Sequence, residues 1–236
     1  MSRVVRSPRF LSFARPYVRW RLARAFDGVW TSGLEEARAR VAREPLIVAA
    51  NHVAWWDPLL LVWLDQALGG ESVALMDAAN LRRLPFMALV GAIGLDRSGG
   101  GSSLGGLRTA TAWLDRPGRV VFVFPQGRQR PSQVRPLGFA RGVEWLARRS
   151  RARVLPLSIA YGFRESHRPA AGLVLGPPCA PDVAHLEAAV AGGLERLDRF
   201  YDGLPEAALQ PGIPAPTARS DEGLGARLLG HLTRRA

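Results

Sequence analysis

The sequence has no lysine: all 32 of its Lys and Arg residues are arginine, set against 20 Asp and Glu for a formal charge of +12. A single cysteine, Cys179, excludes an internal disulfide, fits a reducing compartment and reads as a packing residue. No apolar run approaches the roughly 18 residues needed to cross a bilayer, so no spanning helix is expected. Arginines interrupt every apolar stretch near the N-terminus, which excludes a signal peptide. Acids are missing there too. Arg3, Arg6, Arg9, Arg15, Arg19, Arg21 and Arg24 all precede the first one, Asp27.

What is present describes one globular domain. The 236 residues are 47% hydrophobic and 22% charged, enough for one substantial core. Leu46–Ala50, Ser72–Met76, Arg119–Phe124 and Val154–Tyr161 read as strands, and Leu173–Gly176 as a further one. Helices are expected after Pro58, from Phe86 to Ile93 closing at Gly94, from Leu107 to Leu114, from Gly142 to Arg149, and over Asp182–Leu204. This alternation predicts a single layered α/β domain over residues 31–204, its central, mostly parallel or mixed β-sheet flanked by helices. Residues 1–30 are expected as a basic amphipathic segment on a membrane surface. Residues 205–236 are expected as a Pro/Ala-rich linker ending in a short basic helix over 224–232.

The stretch Leu46–Pro58 carries the chemistry. Its apolar run is followed by Asn51, His52 and, five residues after the histidine, Asp57-Pro58. On one continuous helix, His52 and Asp57 would point about 140° apart. In a loop that ends with Asp57 as helix N-cap and Pro58 at the first helical position, the carboxylate can fold back onto the imidazole. A histidine steered by a carboxylate is a general base. No serine or cysteine lies in the same loop, so the group it serves is a hydroxyl brought by a substrate. The ordinary alternative is a satisfied loop histidine beside a helix cap.

Asn51-His52-x-x-x-x-Asp57 resembles the N-H-x-x-x-x-D block of the glycerolipid acyltransferases, the lysophosphatidic acid acyltransferase (PlsC-like) family. Gly91–Arg97 is similar to the second block, in which an arginine meets the acceptor's phosphate. Phe124-Pro125-Gln126-Gly127 resembles F-P-E-G, and Val154–Leu157 the final strand with its central proline. The resemblance covers roughly residues 45 to 160. It implies a fatty acyl thioester donor, acyl-CoA or acyl carrier protein, as co-substrate, no cofactor and no metal. His52 and Asp57 would be catalytic. Asn51, Arg97, Gln126 and Gly127 would bind substrate, with Arg97 open between a phosphate contact and a structural ion pair. Separately, the place of the Arg128 and Arg130 loop, after a strand expected near the His52 loop, makes one or the other a substrate contact. Two departures stand out: Gln126 replaces the family's glutamate, and Arg128-Gln129-Arg130 replaces T-R-S. The acceptor is therefore left open between a lysophospholipid and another lipid alcohol, a glycolipid, a carotenoid sugar or an amine.

Phe10, Phe13, Tyr17 and Trp20 keep the three-to-four spacing of one helix face, with Pro16 expected to break or start a turn. Arginines beside an aromatic face form the pattern of a segment in a bilayer interface, here an anionic one on the cytoplasmic side. A helix packed on its own domain is the alternative. No nucleic-acid-binding module accompanies the charge, which argues against nucleic acid. Gly101-Ser102-Ser103-Leu104-Gly105 matches G-x-S-x-G formally, but glycine stands where a nucleophile elbow needs a strand, so a serine esterase is disfavoured. His167 and His185 read as uninvolved.

Overall fold

The computed structural model describes residues 4–96, 103–204 and 209–214. Among the described residues eight strands form one mixed sheet: β1 Val29–Ser32, β2 Leu46–Ala50, β3 Glu71–Asp77, β4 Ala92–Leu95, β5 Arg119–Val123, β6 Arg153–Phe163, β7 Pro169–Leu175 and β8 Gln210–Ile213, in the order β4-β3-β5-β2-β6-β7-β1-β8. The five strands from β4 to β6 run parallel. β7 is antiparallel to β6, and β8 to β1. β2 lies between β5 and β6, and all five of its residues are buried. Period-two alternation sends Leu46, Val48 and Ala50 to one apolar layer and Ile47 and Ala49 to the other. Helices α1 Pro8–Ala25, α2 Leu34–Val41 and α3 Asp57–Leu68 bear on the first side. On the other are α5 Ser103–Trp113, α6 Gly142–Ser150 and α7 Val183–Tyr201; α4, Ala78–Arg83, is a short connector.

Three expectations are corrected. The apolar run Phe86–Ile93 is not one helix: a 3-10 turn covers Pro85–Val90 and β4 comes next, so Gly94 is a strand residue. Gly91 makes the break, at φ +102°, where an added Cβ would stand 2.9 Å from the Ser72 carbonyl oxygen. Pro16 lies inside the continuous α1, at an exposed position of the helix. Within the expected linker, Gln210–Ile213 is a strand. It pairs at the edge of the sheet, which tolerates Pro211, and buries Ile213. The remaining linker residues 205–208 and 215–220 and the expected helix 224–232 lie outside the described residues.

The N-terminal segment is a helix docked on the domain. Leu11, Val18 and Leu22 are buried on the side facing α3. Arg6 and Arg15 reach the buried Asp65 of α3 at 3.0 and 2.8 Å, and Asp65 also accepts from the Ser72 amide and hydroxyl. Two of the arginines thus neutralise an interior acid. Phe13, Tyr17 and Trp20 point outward, 78%, 58% and 55% exposed. No described helix is long and apolar enough to cross a membrane.

Candidate active site

The site forms where β2 ends. The chain leaves the sheet at Asn51 and enters α3 at Asp57, and the loop between is gripped from both neighbouring strands. On the β6 side, the Asn51 side chain donates to the Ile159 carbonyl and accepts from the Ile159 amide, both at 2.8 Å. That pairing uses both ends of a buried amide, so Asn51 fixes the loop to the strand. On the β5 side, Gln126 Oε1 accepts from the His52 amide at 2.6 Å, and the Arg130 amide donates to the His52 carbonyl at 2.8 Å. The backbone of His52 is therefore held at both polar atoms by the loop that leaves β5. Phe124 stacks on the imidazole, with ring centroids 4.3 Å apart.

Asp57 does fold back. Helix α3 begins at Asp57, one residue earlier than its expected place as cap, and Trp56 holds the N-cap position without a side-chain cap bond. The carboxylate turns away from the helix amides and into the loop. Its Oδ2 meets His52 Nδ1 at 2.6 Å and accepts from the amides of Val53 and Ala54 at 2.6 and 3.1 Å. Its Oδ1 accepts from the Tyr161 hydroxyl at 2.5 Å. Asp57 is fully buried and the His52 side chain 18% exposed. With an acceptor-only carboxylate on Nδ1, the ring carries its proton there and leaves Nε2 as the basic nitrogen. This is an imidazole able to take a proton from a hydroxyl that reaches its edge.

Tyr161, at the end of the run Leu155, Leu157, Ile159, Tyr161, escaped sequence reasoning. Those alternate residues share one face of β6 with the layer around Asp57. A phenol closing an otherwise aliphatic alternation was the available signal. Burial first, and then the Asp57 charge, pushes the Tyr161 hydroxyl far above the ordinary tyrosine range, so it stays a donor.

The other expected residues are placed less uniformly. Gln126 is buried, and while its Oε1 holds His52, its Nε2 donates to the Leu137 carbonyl at 3.0 Å. A glutamate could keep the first bond but not the second, so the glutamine matches a site that needs an acceptor and a donor. Arg130 Nη1 donates to the same carbonyl at 2.6 Å. Arg128 is exposed, and Gly127, at φ +65°, turns the chain between the buried Gln126 and Arg128. Arg97 and Ser102 lie outside the described residues. His185 sits on the exposed start of α7, remote in sequence and bonded to Asp182. Among the described residues no three His, Cys, Asp or Glu side chains cluster as a metal site.

A family model described as Acyltransferase matches residues 31–160, more than half of the 236-residue chain. The chain belongs to the acyltransferase family. Among curated proteins, none matches the sequence. The matched span contains His52, Asp57 and Gln126 and stops one residue short of Tyr161. Generic acyl transfer, and with it a transferase activity, follows from this membership.

Proposed function

We propose that this acyltransferase moves a fatty acyl group from an acyl-CoA or acyl carrier protein thioester to a hydroxyl of a lysophospholipid or another lipid acceptor. The observation that carries this reading is the 2.6 Å contact between His52 Nδ1 and a buried Asp57, on a histidine whose side chain stays partly exposed. His52 Nε2 accepts the acceptor's proton as its oxygen attacks the thioester carbonyl. The oxygen–carbon bond forms, the carbon–sulfur bond breaks, and the departing thiolate takes the proton back from His52 Nε2, which restores the base. Asp57 keeps the ring in the required tautomer and stabilises the imidazolium. Attack is direct, with no acyl-enzyme. General-base help of this kind contributes about 10²–10⁴-fold.

Recognition is read from the rim. The exposed Arg128 is the cation of the β5 loop suited to a phosphate on donor or acceptor, while Arg130 is half-buried with its Nη1 turned to the Leu137 carbonyl. Gln126 turns both amide ends inward, onto His52 and Leu137, where the family pattern has a glutamate, and this departure keeps the non-glycerol alcohols and amines as the second reading. Phe13, Tyr17 and Trp20, the exposed Arg9, Arg19 and Arg24, and Trp55 of the His52 loop suit the anionic, cytoplasmic face of a cell membrane as the docking surface. Each arginine contributes about 1 kcal/mol there at most.

Labelled palmitoyl-CoA incubated with the enzyme and total lipid extract, with products identified by mass spectrometry, tests the reading. Label in a lipid ester or amide is expected, and its carrier names the acceptor. Label in free fatty acid alone would make the protein a thioester hydrolase. Sedimentation with phosphatidylglycerol vesicles tests the docking surface: the triple variant F13A/Y17A/W20A should bind at least about tenfold more weakly. Unchanged binding removes α1 from that role.

A further inference from the structure

We propose that Tyr161 is a positioning residue of this site, fixing the far oxygen of Asp57 so that the near one is held on His52 Nδ1. The inference rests on the roles given to His52 and Asp57 above. Three donors converge on Asp57 Oδ2, namely the imidazole and the amides of Val53 and Ala54. All three come from the loop itself. Bonds to a single oxygen leave the carboxylate plane free to pivot about that oxygen. The Tyr161 hydroxyl, 2.5 Å from Oδ1, removes that freedom from outside the loop.

The phenol is itself held. Its ring stacks on Phe26, the buried residue that ends α1, with centroids 5.4 Å apart and planes at 22°. Phe26 in turn meets Trp56, the residue before Asp57, edge to face at 5.2 Å. Two residues upstream on β6, Ile159 grips Asn51 through both backbone atoms. One strand therefore anchors the residue before the histidine and the acid after it. A strand is rigid where a loop is not, which suits it to set the spacing of a general base and its partner. Burial keeps the hydroxyl protonated and hence able only to support the ionised acid as a donor.

The test is Y161F, which keeps the ring and its stacking and deletes the one donor. For transfer from palmitoyl-CoA into vesicles of total lipid extract, kcat is expected to fall about tenfold with KM for the thioester unchanged. Independently of turnover, the nuclear magnetic resonance signal of the His52 Nδ1 proton should move, while that of His185 stays in place. The melting temperature should hold within a few degrees. An unmoved His52 signal overturns the proposal, whether or not acyl transfer is the reaction. So does an unchanged kcat, with any loss in kcat/KM carried by a rise in KM alone. A His52 signal that moves in Y161F, beside a wild-type enzyme that transfers no acyl group, would instead refute the function and leave the positioning role standing.

Discussion

Among the described residues are two histidine–aspartate pairs of almost the same length. His52 lies 2.6 Å from Asp57, and His185 2.8 Å from Asp182. Distance does not separate them; surroundings do. Asp57 is fully buried and bonded by four groups, while Asp182 and His185 keep 42% and 71% of their side chains in solvent. Asp182 does the ordinary work of a helix cap, accepting from the His185 amide at 3.0 Å at the start of α7. Its imidazole partner can leave by a rotamer change. Asp57 declines the capping role at α3 and directs its acceptors to the loop and to Tyr161. A pair becomes a candidate base when its geometry is imposed from several elements and water is kept off one side.

Truncating each acid breaks the two pairs to different degrees. D57A leaves the buried Tyr161 hydroxyl and two loop amides without their acceptor, and should lower unfolding free energy by about 3 kcal/mol. D182A should shift the denaturation midpoint only slightly, because water replaces the lost acceptor. Urea titrations of both variants check this, and equal losses would show that burial does not distinguish them.

A smaller effect sharpens the exposed pair. The His185 amide, and then its imidazole, hold the Asp182 carboxyl below the usual carboxylate range. A depressed folded-state value stabilises the protein above the unfolded-state value of about 4, and the contribution disappears as pH falls through the lower folded value. The difference in melting temperature between wild type and D182N should therefore shrink as pH is lowered from about 6 to about 2. A difference that grows instead would give the shift the opposite sign.

The same contrast explains what could be read from the chain. Leu46–Ala50 is apolar at every position and Asp57-Pro58 marks the start of a helix, so the strand, the loop and the returning carboxylate were all legible. The layered α/β architecture followed from the alternation of such runs. Phe86–Ile93 was not legible, since a run that is apolar throughout serves a buried strand as well as a helix, and only the pairing of Ala92–Leu95 with β3 decides it. β8 was hidden for a similar reason: Gln-Pro-Gly-Ile reads as a connector, and its pairing with β1 comes from 179 residues away in sequence at Thr31 and Gln210. Within the site, local spacing revealed the residues five apart. It could not reveal Tyr161, 104 residues beyond Asp57, or that Gln126 and Asn51 turn both amide ends inward. Contacts made across strands are written in the register of the sheet, which no window of sequence displays.

The two histidines also provide the decisive measurement. Initial rates of acyl transfer from palmitoyl-CoA into total lipid extract should fall by about 10²-fold or more in H52A and stay at the wild-type level in H185A, with both variants folded by circular dichroism. Retained turnover in H52A, or equal losses in the two, would contradict the assignment of the buried pair as the catalytic one.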